Sequence, residues 1–559
     1  MTRITEDPIL VSIIQRQLDH ISLQMGLVMT RTARSPIFSQ SHDFSCFLSN
    51  AHGETVAQAD GIPIHTGGGG FAVRAVLRDF ADQIFPDDVF ILSDPYVAGG
   101  NHLPDWTVIR PVFVDDRLFG FCTNRAHQSD IGGGAAGTYN SAATEIFHEG
   151  IRLPVLKLVD KGQLRQDLWN LLLLNSRSPD LLDGDLGAML GSTRIGTERF
   201  QALILHHGSE RSARCLEAVL DYGERSMRQA ISSLPNGSWT ASDFSDTDCF
   251  ETIEVETRVK ITVENDSLIV DFTGSSPQVR GFKNSSVANT HSAVNVAIAA
   301  FFDESMPHNE GISRPVKIIA PEGTHLNALP PAAMTMNTIY PAGDIINACW
   351  KALAQIDQER ACAGWGKISY SVSSGPDSVG RNFTLYHWHA CAGGGAVRGR
   401  DGFPSISHQA TLGGMVIPNV ETYEQSYPCR IHQQEFRIDA AGAGTFRGGC
   451  GISYEIEVWA DTQHSLRGEG SRKPSGFGVA EGLDGAKGEF HVFELDSGDE
   501  IASPQYGIQN LGPKRITIES SGGGGWGDPL KRDRLAVMRD VRDGIVSRSA
   551  AENLYGVKI

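Results

Sequence analysis

The chain has 559 residues, of which 66 are acidic and 48 basic, and its formal net charge is −18. Its length suggests about three or four domains, and an apolar content of 40% is enough to bury a large core. An acidic chain without a basic stripe is not expected to bind nucleic acid, because neutralising phosphates requires clustered Lys and Arg. The longest apolar run, residues 293–302, contains Asn295 and is too short to cross a bilayer, which takes about 20 residues.

The N-terminus and the cysteines favour a cytoplasmic protein that does not enter a membrane. The opening residues, MTRITEDPIL, contain no apolar stretch of the kind found in a secretory signal. The nine cysteines are an odd number, and no two have the CxxC spacing. We therefore expect reduced thiols, and neither a disulfide framework nor a cysteine-rich zinc module.

The first predicted element is a helix that begins at Pro8 and is capped by Asp7. Apolar residues then recur at helical spacing as far as Met29. Between residues 43 and 154 the pattern changes to short strands joined by glycine-rich turns. These strands are predicted at 44–50, 55–59, 89–93, 107–114 and 118–124.

Residues 164–232 have helical periodicity, and the Pro-Asn-Gly sequence at 235–237 ends this block as a predicted domain boundary. Polar and apolar residues then alternate over 252–261, and Asn265–Asp266 turns the chain into a second strand. Further helices are predicted at 290–302, 343–356 and 530–550, with strands and glycine turns elsewhere.

These elements predict a mixed α/β (α+β) fold. Its N-terminal part is a strand-and-glycine-turn region with a helical segment, followed by mixed sheet domains. We expect three domains: an N-terminal region at 1–237 with the helical block at 164–232, a central α/β region at 238–380, and a strand-rich region at 381–559 that ends in a helix.

Residue types that bind metals follow two neighbouring predicted strands. His102 and Asp105 are three residues apart on a glycine-rich loop just after one strand, and His127 and Asp130 have the same spacing after a second strand. Asp43 stands at the start of an earlier strand. Two imidazoles and two carboxylates are a suitable ligand set for Zn²⁺, Mn²⁺ or Fe²⁺. The alternative is that each pair forms a turn in which the aspartate accepts backbone hydrogen bonds.

Other candidate sites are less specific. His387 and His389 are two apart on a predicted strand and so share a face, but no third ligand is evident, and the alternative is a pair of surface or interface histidines. Four glycine tracts are candidates either for anion binding through backbone N–H groups or for tight turns. The tracts are 67–70, 132–134, 393–395 and 522–525.

Nucleotide-binding motifs are absent from the sequence. It contains no GxxxxGK[ST] motif and no GxGxxG that opens a helix after a strand, and the basic loop at 467–478 lacks the phosphate-loop spacing. The GxSxG elbow of serine hydrolases is also absent. We therefore expect this chain to bind neither ATP nor a dinucleotide.

Longer motifs distributed over nearly the whole chain match one known family. They include RTARSP (31–36), DFSC (43–46), VAQADGIPIHTG (56–67), DPYVAGGNHLPD (94–105), RAHQSDIGG (125–133), TEIFHEGIRLP (144–154), FRGGCG (446–451) and GGGGWGDP (522–529). On these motifs the chain resembles the hydantoinase B/oxoprolinase family. That family includes B subunits of ATP-dependent N-methylhydantoinases, the caprolactamase beta subunit, the C-terminal half of 5-oxoprolinase and the acetone carboxylase alpha subunit.

The resemblance implies a metal site and a partner. The implied cofactor is one divalent transition metal, zinc or manganese, and ATP is expected on a hydantoinase A-like partner subunit in an A2B2 hetero-oligomer. The substrate is then a small molecule. The implied metal ligands are Asp43, His102, Asp105 and His127.

The function implied is that of the B subunit of an ATP-dependent cyclic amide hydrolase acting on a hydantoin, an oxoproline-like ring or a lactam. In our hypothesis the partner activates the ring carbonyl, and this chain completes the hydrolysis. Asp130 or Glu145 acts as the general base, and Gly132 and Gly133 hold the oxyanion. The alternative role of Asp130 is to orient His127.

Two other functions remain open. One is a subunit of an ATP-dependent ketone carboxylase resembling acetone carboxylase, and the length of the chain favours the hydrolase over it. The other is a non-enzymatic binding protein, against which the complete ligand set argues. His387 and His389 stand where relatives often carry an acidic residue, which bears on the substrate more than on the fold.

Overall fold

The computed structural model describes residues 6–59, 61–302, 305–414 and 416–559. The predicted fold class is confirmed, because helices and several sheets alternate along the chain. We predict no secretory signal at the N-terminus. The first five residues of that segment, 1–5, lie outside the described residues. Among the described helices, none is long and apolar enough to span a bilayer. The division into three domains stays a prediction.

The first helix, α1, has the predicted start. Asp7 caps it by accepting a hydrogen bond from the backbone N of Ile9 at 3.0 Å, and Pro8 is its first residue. Its apolar face packs against the long helices α6 and α7. The helices are α1 (Pro8–Thr32), α2 (Pro36–Ser39), α3 (Pro63–Thr66), α4 (Gly69–Phe80), α5 (Gln166–Leu174), α6 (Pro179–His207), α7 (Ser209–Ser232), α8 (Val287–Phe301), α9 (Ala342–Ile356), α10 (Val420–Ser426), α11 (Arg534–Arg542) and α12 (Arg548–Asn553).

The first sheet holds the predicted N-terminal strands. Its strands are β1 (Phe44–Asn50), β2 (Thr55–Gln58), β3 (Val89–Leu92), β4 (Asp105–Val114), β5 (Arg117–His127), β6 (Leu156–Asp160) and β7 (Gln163–Leu164). All neighbours are antiparallel, in the order β2-β1-β5-β4-β3-β6-β7. Helix α4 covers one face, and α1 and α6 pack on the other. Because both faces are covered, the central strands are buried along most of their length on both sides.

The second sheet contains the predicted hairpin. Its strands are β8 (Gly237–Ser245), β9 (Val255–Glu264), β10 (Ser267–Asp271) and β11 (Val316–Ile319), in the order β11-β10-β9-β8. Asn265 has a φ of 57°, as expected of the turn between β9 and β10. Helix α9 packs on β8 and β9, so the buried face of the alternating strand lies beneath it.

Two further sheets share the C-terminal part of the chain. Their strands are β12 (Ser369–Pro376), β13 (Asn382–Tyr386), β14 (Cys429–Phe436), β15 (Ile452–Val458), β16 (Thr462–Gly468), β17 (Glu489–Glu494), β18 (Glu500–Ile501), β19 (Tyr506–Leu511) and β20 (Lys514–Glu519). The third sheet has the order β13-β12-β16-β19, and the fourth β14-β15-β20-β17-β18. The strands of the two sheets therefore alternate in groups along the chain.

The prediction of one C-terminal helix over 530–550 is wrong, because two short helices occupy that region. Gly544 follows α11 with a φ of 72°, a conformation that ends a helix at little cost only for glycine. Ser547 then caps α12 by accepting a hydrogen bond from the backbone N of Ala550 at 3.0 Å.

The glycine tract 522–525 forms neither a turn nor an anion site. It is buried and extended outside any strand, and each of its amides donates to the backbone of another segment: Gly522 to Ala486 O at 3.0 Å, Gly523 to Gly449 O at 3.0 Å, Gly524 to Gly364 O at 2.8 Å and Gly525 to Leu483 O at 2.9 Å. Glycine is needed here because the neighbouring backbones approach too closely for a Cβ atom.

The tract 393–395 belongs to the same arrangement, since Ala396 N donates to Gly524 O and Gly449 N donates to Gly394 O. We call the arrangement the glycine bundle. It comprises segments 363–366, 393–396, 442–449, 476–485 and 522–527.

The two N-terminal glycine tracts have other roles. Gly67 ends α3, and Gly69 begins α4. Gly132 and Gly133 both have a φ of 80°, so this tract is a turn.

Candidate metal centre

The register of the first sheet assembles the centre. Asp105 and His127 are directly opposite each other in the β4–β5 pair. Asp43 precedes β1, and its carbonyl accepts the backbone N–H of His127 at 3.1 Å. His102 lies on the loop that enters β4, where its carbonyl accepts the Asp105 N–H at 3.2 Å. Strand ends and one loop thus bring these residues to the same edge of the sheet.

Three of the four implied ligands converge on one point. His102 Nε2 is 2.8 Å from Asp105 Oδ1, and His127 Nδ1 is 3.3 Å from the same oxygen. One ligand atom from each residue lies within 4.8 Å of the others, and all three side chains are buried. We call these three residues the metal cluster.

The unsatisfied atoms of the metal cluster fit a cation. His102 Nε2 and both Asp105 oxygens have no hydrogen-bond partner among the described residues, so their close approach lacks hydrogen-bond geometry. Leaving buried polar atoms unpaired is costly unless a ligand satisfies them. Burial opposes ionisation of Asp105, but the His102 and His65 imidazoles hold its pKa well below its usual value.

The outer nitrogens of the two cluster histidines are held in place. His102 Nδ1 is 2.5 Å from the Thr335 carbonyl oxygen, and His127 Nε2 is 3.1 Å from Thr138 Oγ1. Each ring therefore directs its other nitrogen towards Asp105. Partners of this kind orient metal-bound histidines.

Asp43 lies at the edge of the cluster and reaches it through His65. His65 Nε2 is 3.3 Å from Asp105 Oδ2 and 3.7 Å from Asp43 Oδ1. His65 is buried on the short helix α3, and the sequence analysis missed it. The only signal was its place in the motif VAQADGIPIHTG, of which Asp60 lies outside the described residues.

The residues predicted as the general base and as the holders of the oxyanion make other contacts in the structure. Asp130 is buried, and its Oδ1 accepts the N–H groups of Gly132 at 3.0 Å and Arg177 at 2.9 Å. Its Oδ2 is 3.1 Å from Arg177 Nη1 in an ion pair. Asp130 and the Gly132 amide therefore hold the turn that contains Gly133. Glu145 is exposed, and the structure does not bring it to the metal cluster.

A buried carboxyl group that the sequence analysis missed supports the cluster from behind. Glu149 Oε1 accepts the backbone N–H of Thr335 at 2.7 Å and that of Met334 at 3.0 Å. Because the Thr335 carbonyl contacts His102, Glu149 fixes the segment that orients that ring. Burial raises the pKa of Glu149 to about 7. Its only signal was its place in the motif TEIFHEGIRLP.

His387 and His389 are buried, so their interpretation as surface residues is wrong. His387 Nε2 is 3.0 Å from Ser373 Oγ, and His389 Nε2 is 2.9 Å from the Pro418 carbonyl oxygen. Among the described residues, the groups arranged to hold a metal do not include them.

We expect these two histidines to make the fold sensitive to acid. Burial lowers the pKa of His387 to about 3 and that of His389 to about 4, whereas an unfolded histidine titrates near 6.5. As pH falls below 6.5 the unfolded chain binds more protons than the folded chain, so the free energy of unfolding decreases until about pH 3 to 4. At pH 5 each histidine should account for a loss of about 2 kcal/mol relative to pH 7.

Urea denaturation at pH 7 and pH 5 measures this loss. His387→Gln should lose less stability between the two pH values than the unsubstituted chain, and the exposed His20→Gln is the control. Equal pH dependence in His387→Gln and the unsubstituted chain would contradict the expectation.

Comparisons with known proteins agree with the resemblance. The family model described as Hydantoinase B/oxoprolinase matches residues 7–529. The caprolactamase subunit beta of Pseudomonas jessenii is 32% identical over 571 residues, which cover 99% of this chain and 97% of that protein. The crystal structure of the ATP-dependent caprolactamase from Pseudomonas jessenii superposes with a TM-score of 0.89 at 30% identity, covering 99% of this chain and 97% of the other.

A nucleotide-free structure of acetone carboxylase shares the fold at a TM-score of 0.87 and 20% identity, over 99% of this chain and 80% of the other. The match of the family model to nearly all of the sequence, together with the caprolactamase likeness over the full chain, identifies the family. The chain belongs to the hydantoinase B/oxoprolinase family.

Proposed function

We propose that this chain is the metal-binding subunit of an ATP-dependent cyclic amide hydrolase. The substrate class is a hydantoin, an oxoproline-like ring or a lactam. One observation carries the proposal: a buried cluster of two imidazoles and a carboxylate with unsatisfied atoms, in a chain similar over its full length to a caprolactamase beta subunit.

The donor set fits one divalent ion, zinc or manganese, because both bind mixed imidazole and carboxylate ligands. When bound, such an ion would polarise a carbonyl oxygen as a Lewis acid and make water a better nucleophile at neutral pH. The residues that would hold it are His102, Asp105 and His127, and Asp43 at the edge of the cluster is the fourth ligand that the resemblance implies.

The chain's other residues prepare the site. Thr335 and Thr138 fix the two cluster imidazoles, and Glu149 fixes Thr335. The Tyr139 ring stacks on His127, with centroids 5.6 Å apart and an interplanar angle of 15°. Burial of the cluster excludes bulk water, which strengthens each electrostatic interaction with a bound substrate.

ATP would bind to a hydantoinase A-like partner subunit, in an A2B2 assembly, and not to this chain. The absence of a phosphate-loop motif from the sequence supports this division of roles. The nine cysteines are unbridged, which supports a cytoplasmic location.

The test is ring opening by the chain purified together with its partner. We expect ATP-dependent hydrolysis of at least one of hydantoin, 5-oxoproline and caprolactam, and no turnover or ATP binding by this chain alone. His102→Ala in the same complex is the control for the metal cluster. Carboxylation of acetone with bicarbonate, without ring opening of any cyclic amide, would contradict the hydrolase and favour a ketone carboxylase.

A further inference from the structure

A buried arginine near the metal cluster has no partner for its charge. Arg467 on β16 is 2% exposed. Its Nε, Nη1 and Nη2 atoms have no hydrogen-bond acceptor among the described residues, and no carboxylate there forms an ion pair with it. A guanidinium in this state costs several kcal/mol, so buried arginines are normally paired.

The surroundings of Arg467 are aromatic on the side of the metal cluster. Its Cζ lies 3.3 Å from the centroid of the Tyr139 ring, and that ring stacks on His127. The Tyr370 ring lies further away, at 5.9 Å. A continuous stack of side chains therefore connects the guanidinium to one of the cluster histidines.

A second unpaired group lies close by. His408 is buried, and its Nδ1 has no hydrogen-bond partner among the described residues. Burial and repulsion by Arg467 and His65 lower the pKa of His408 to about 3. His408 is therefore a neutral imidazole at physiological pH, because a protonated ring would be repelled by the guanidinium and by His65.

The carboxylates of the centre cannot serve as the missing counter-ion. Asp43 and Asp105 together carry two negative charges, which a divalent ion would neutralise. The faces of the Tyr139 and Tyr370 rings attract a cation, but a ring face offers no strong acceptor for the N–H groups of a guanidinium. The planar fork of N–H donors on Arg467 is suited to two oxygens of a carboxylate or a phosphate.

We propose that Arg467, with Tyr139 and His408 beside it, is an anion-recognition site that binds the carboxylate or phosphoryl group of the substrate next to the metal cluster. This inference rests on the proposed function, and it narrows the substrate class to a cyclic amide that carries a carboxylate or has been phosphorylated by the partner. Its occupant supplies the charge that balances Arg467.

The experiment measures anion binding by the metal-loaded chain without its partner, because the two carboxylates of the centre are neutralised only when the divalent ion is bound. Calorimetry uses three probes: inorganic phosphate, 5-oxoproline, and 2-pyrrolidinone as the uncharged analogue of the second. We expect phosphate or 5-oxoproline to bind to the unsubstituted chain and Arg467→Met to weaken that binding at least tenfold. Binding of phosphate alone assigns a phosphoryl group to the site, and binding of 5-oxoproline alone assigns a substrate carboxylate.

The matched control is Arg110→Met. Arg110 is a half-buried arginine on β4 whose Nε also lacks a partner, and it is five residues, or about 16 Å, along the strand from Asp105. The Arg110→Met variant should leave anion binding unchanged. In anion-free buffer Arg467→Met should melt no lower than the unsubstituted chain, because it removes an unpaired buried charge.

Two results would overturn the inference: no binding of either anion to the unsubstituted chain, or equal binding to Arg467→Met. If Arg467→Met does not fold, Arg467→Lys replaces it, and the lost fork should still weaken binding about tenfold. If the complex opens neutral lactam rings but the chain binds neither anion, this inference fails and the proposed function stands. Anion binding without any ring opening by the complex would instead defeat the proposed function.

Discussion

Asp105→Asn is expected to lower ring opening by the reconstituted complex by several orders of magnitude. Asp105 is the central carboxylate of the metal cluster, within 3.3 Å of His65, His102 and His127. Asparagine has nearly the same shape but removes the negative charge that holds a cation. The fold and partner binding should persist. Product formation, elemental analysis of the purified chain and co-purification of the partner measure the three properties.

Two further variants sharpen this prediction. His127→Gln should behave like Asp105→Asn, and the double variant should be little worse than either, because both act on one ion. The control for metal content is Asp185→Asn, since Asp185 is also buried but accepts the backbone N–H groups of Arg34 and Ser35. Near-normal product formation by Asp105→Asn would remove the support for the metal mechanism.

Gly523→Ala is expected to prevent the chain from folding. A Cβ atom at this position would lie 2.0 Å from the backbone oxygen of Gly394, and that backbone is itself held within the glycine bundle. Neither side can move without breaking hydrogen bonds, so the loss should exceed about 4–5 kcal/mol. Soluble yield and urea denaturation measure it.

Gly187→Ala provides the matched control. Gly187 lies inside α6, and nothing is within 4 Å of the position of its Cβ atom. Alanine there should be neutral or stabilise the protein by up to about 1 kcal/mol. A folded Gly523→Ala variant with normal stability would contradict the tight packing of the glycine bundle.

Local signals were enough to predict much of the fold and part of the site. The cap at Asp7 and the apolar spacing after it predicted α1, and the two HxxD pairs marked the start of β4 and the end of β5. His102, Asp105 and His127 were predicted because each residue type binds metals and each follows a strand. The structure brings these three together.

The parts that the sequence analysis missed depend on contacts between distant residues. Glu149 acts through Thr335, which is 186 positions away, and Arg467 reaches His127 only through Tyr139. Their own neighbourhoods in the sequence give no sign of either contact. For the same reason HxxD spacing could not distinguish Asp105, which faces the cluster, from Asp130, which pairs with Arg177.

The glycine bundle gives the glycine tract 522–525 a structural role that its composition does not suggest. By composition, 522–525 resembles a flexible linker, the kind of segment that proteases cut and that tolerates insertions. Its amides are instead buried and bonded to three other segments, so solvent hydrogen cannot readily exchange with them. The tract therefore acts as a rigid joint between sheets. A tag or a protease cleavage site inserted there would break the hydrogen bonds that hold the C-terminal part of the molecule together.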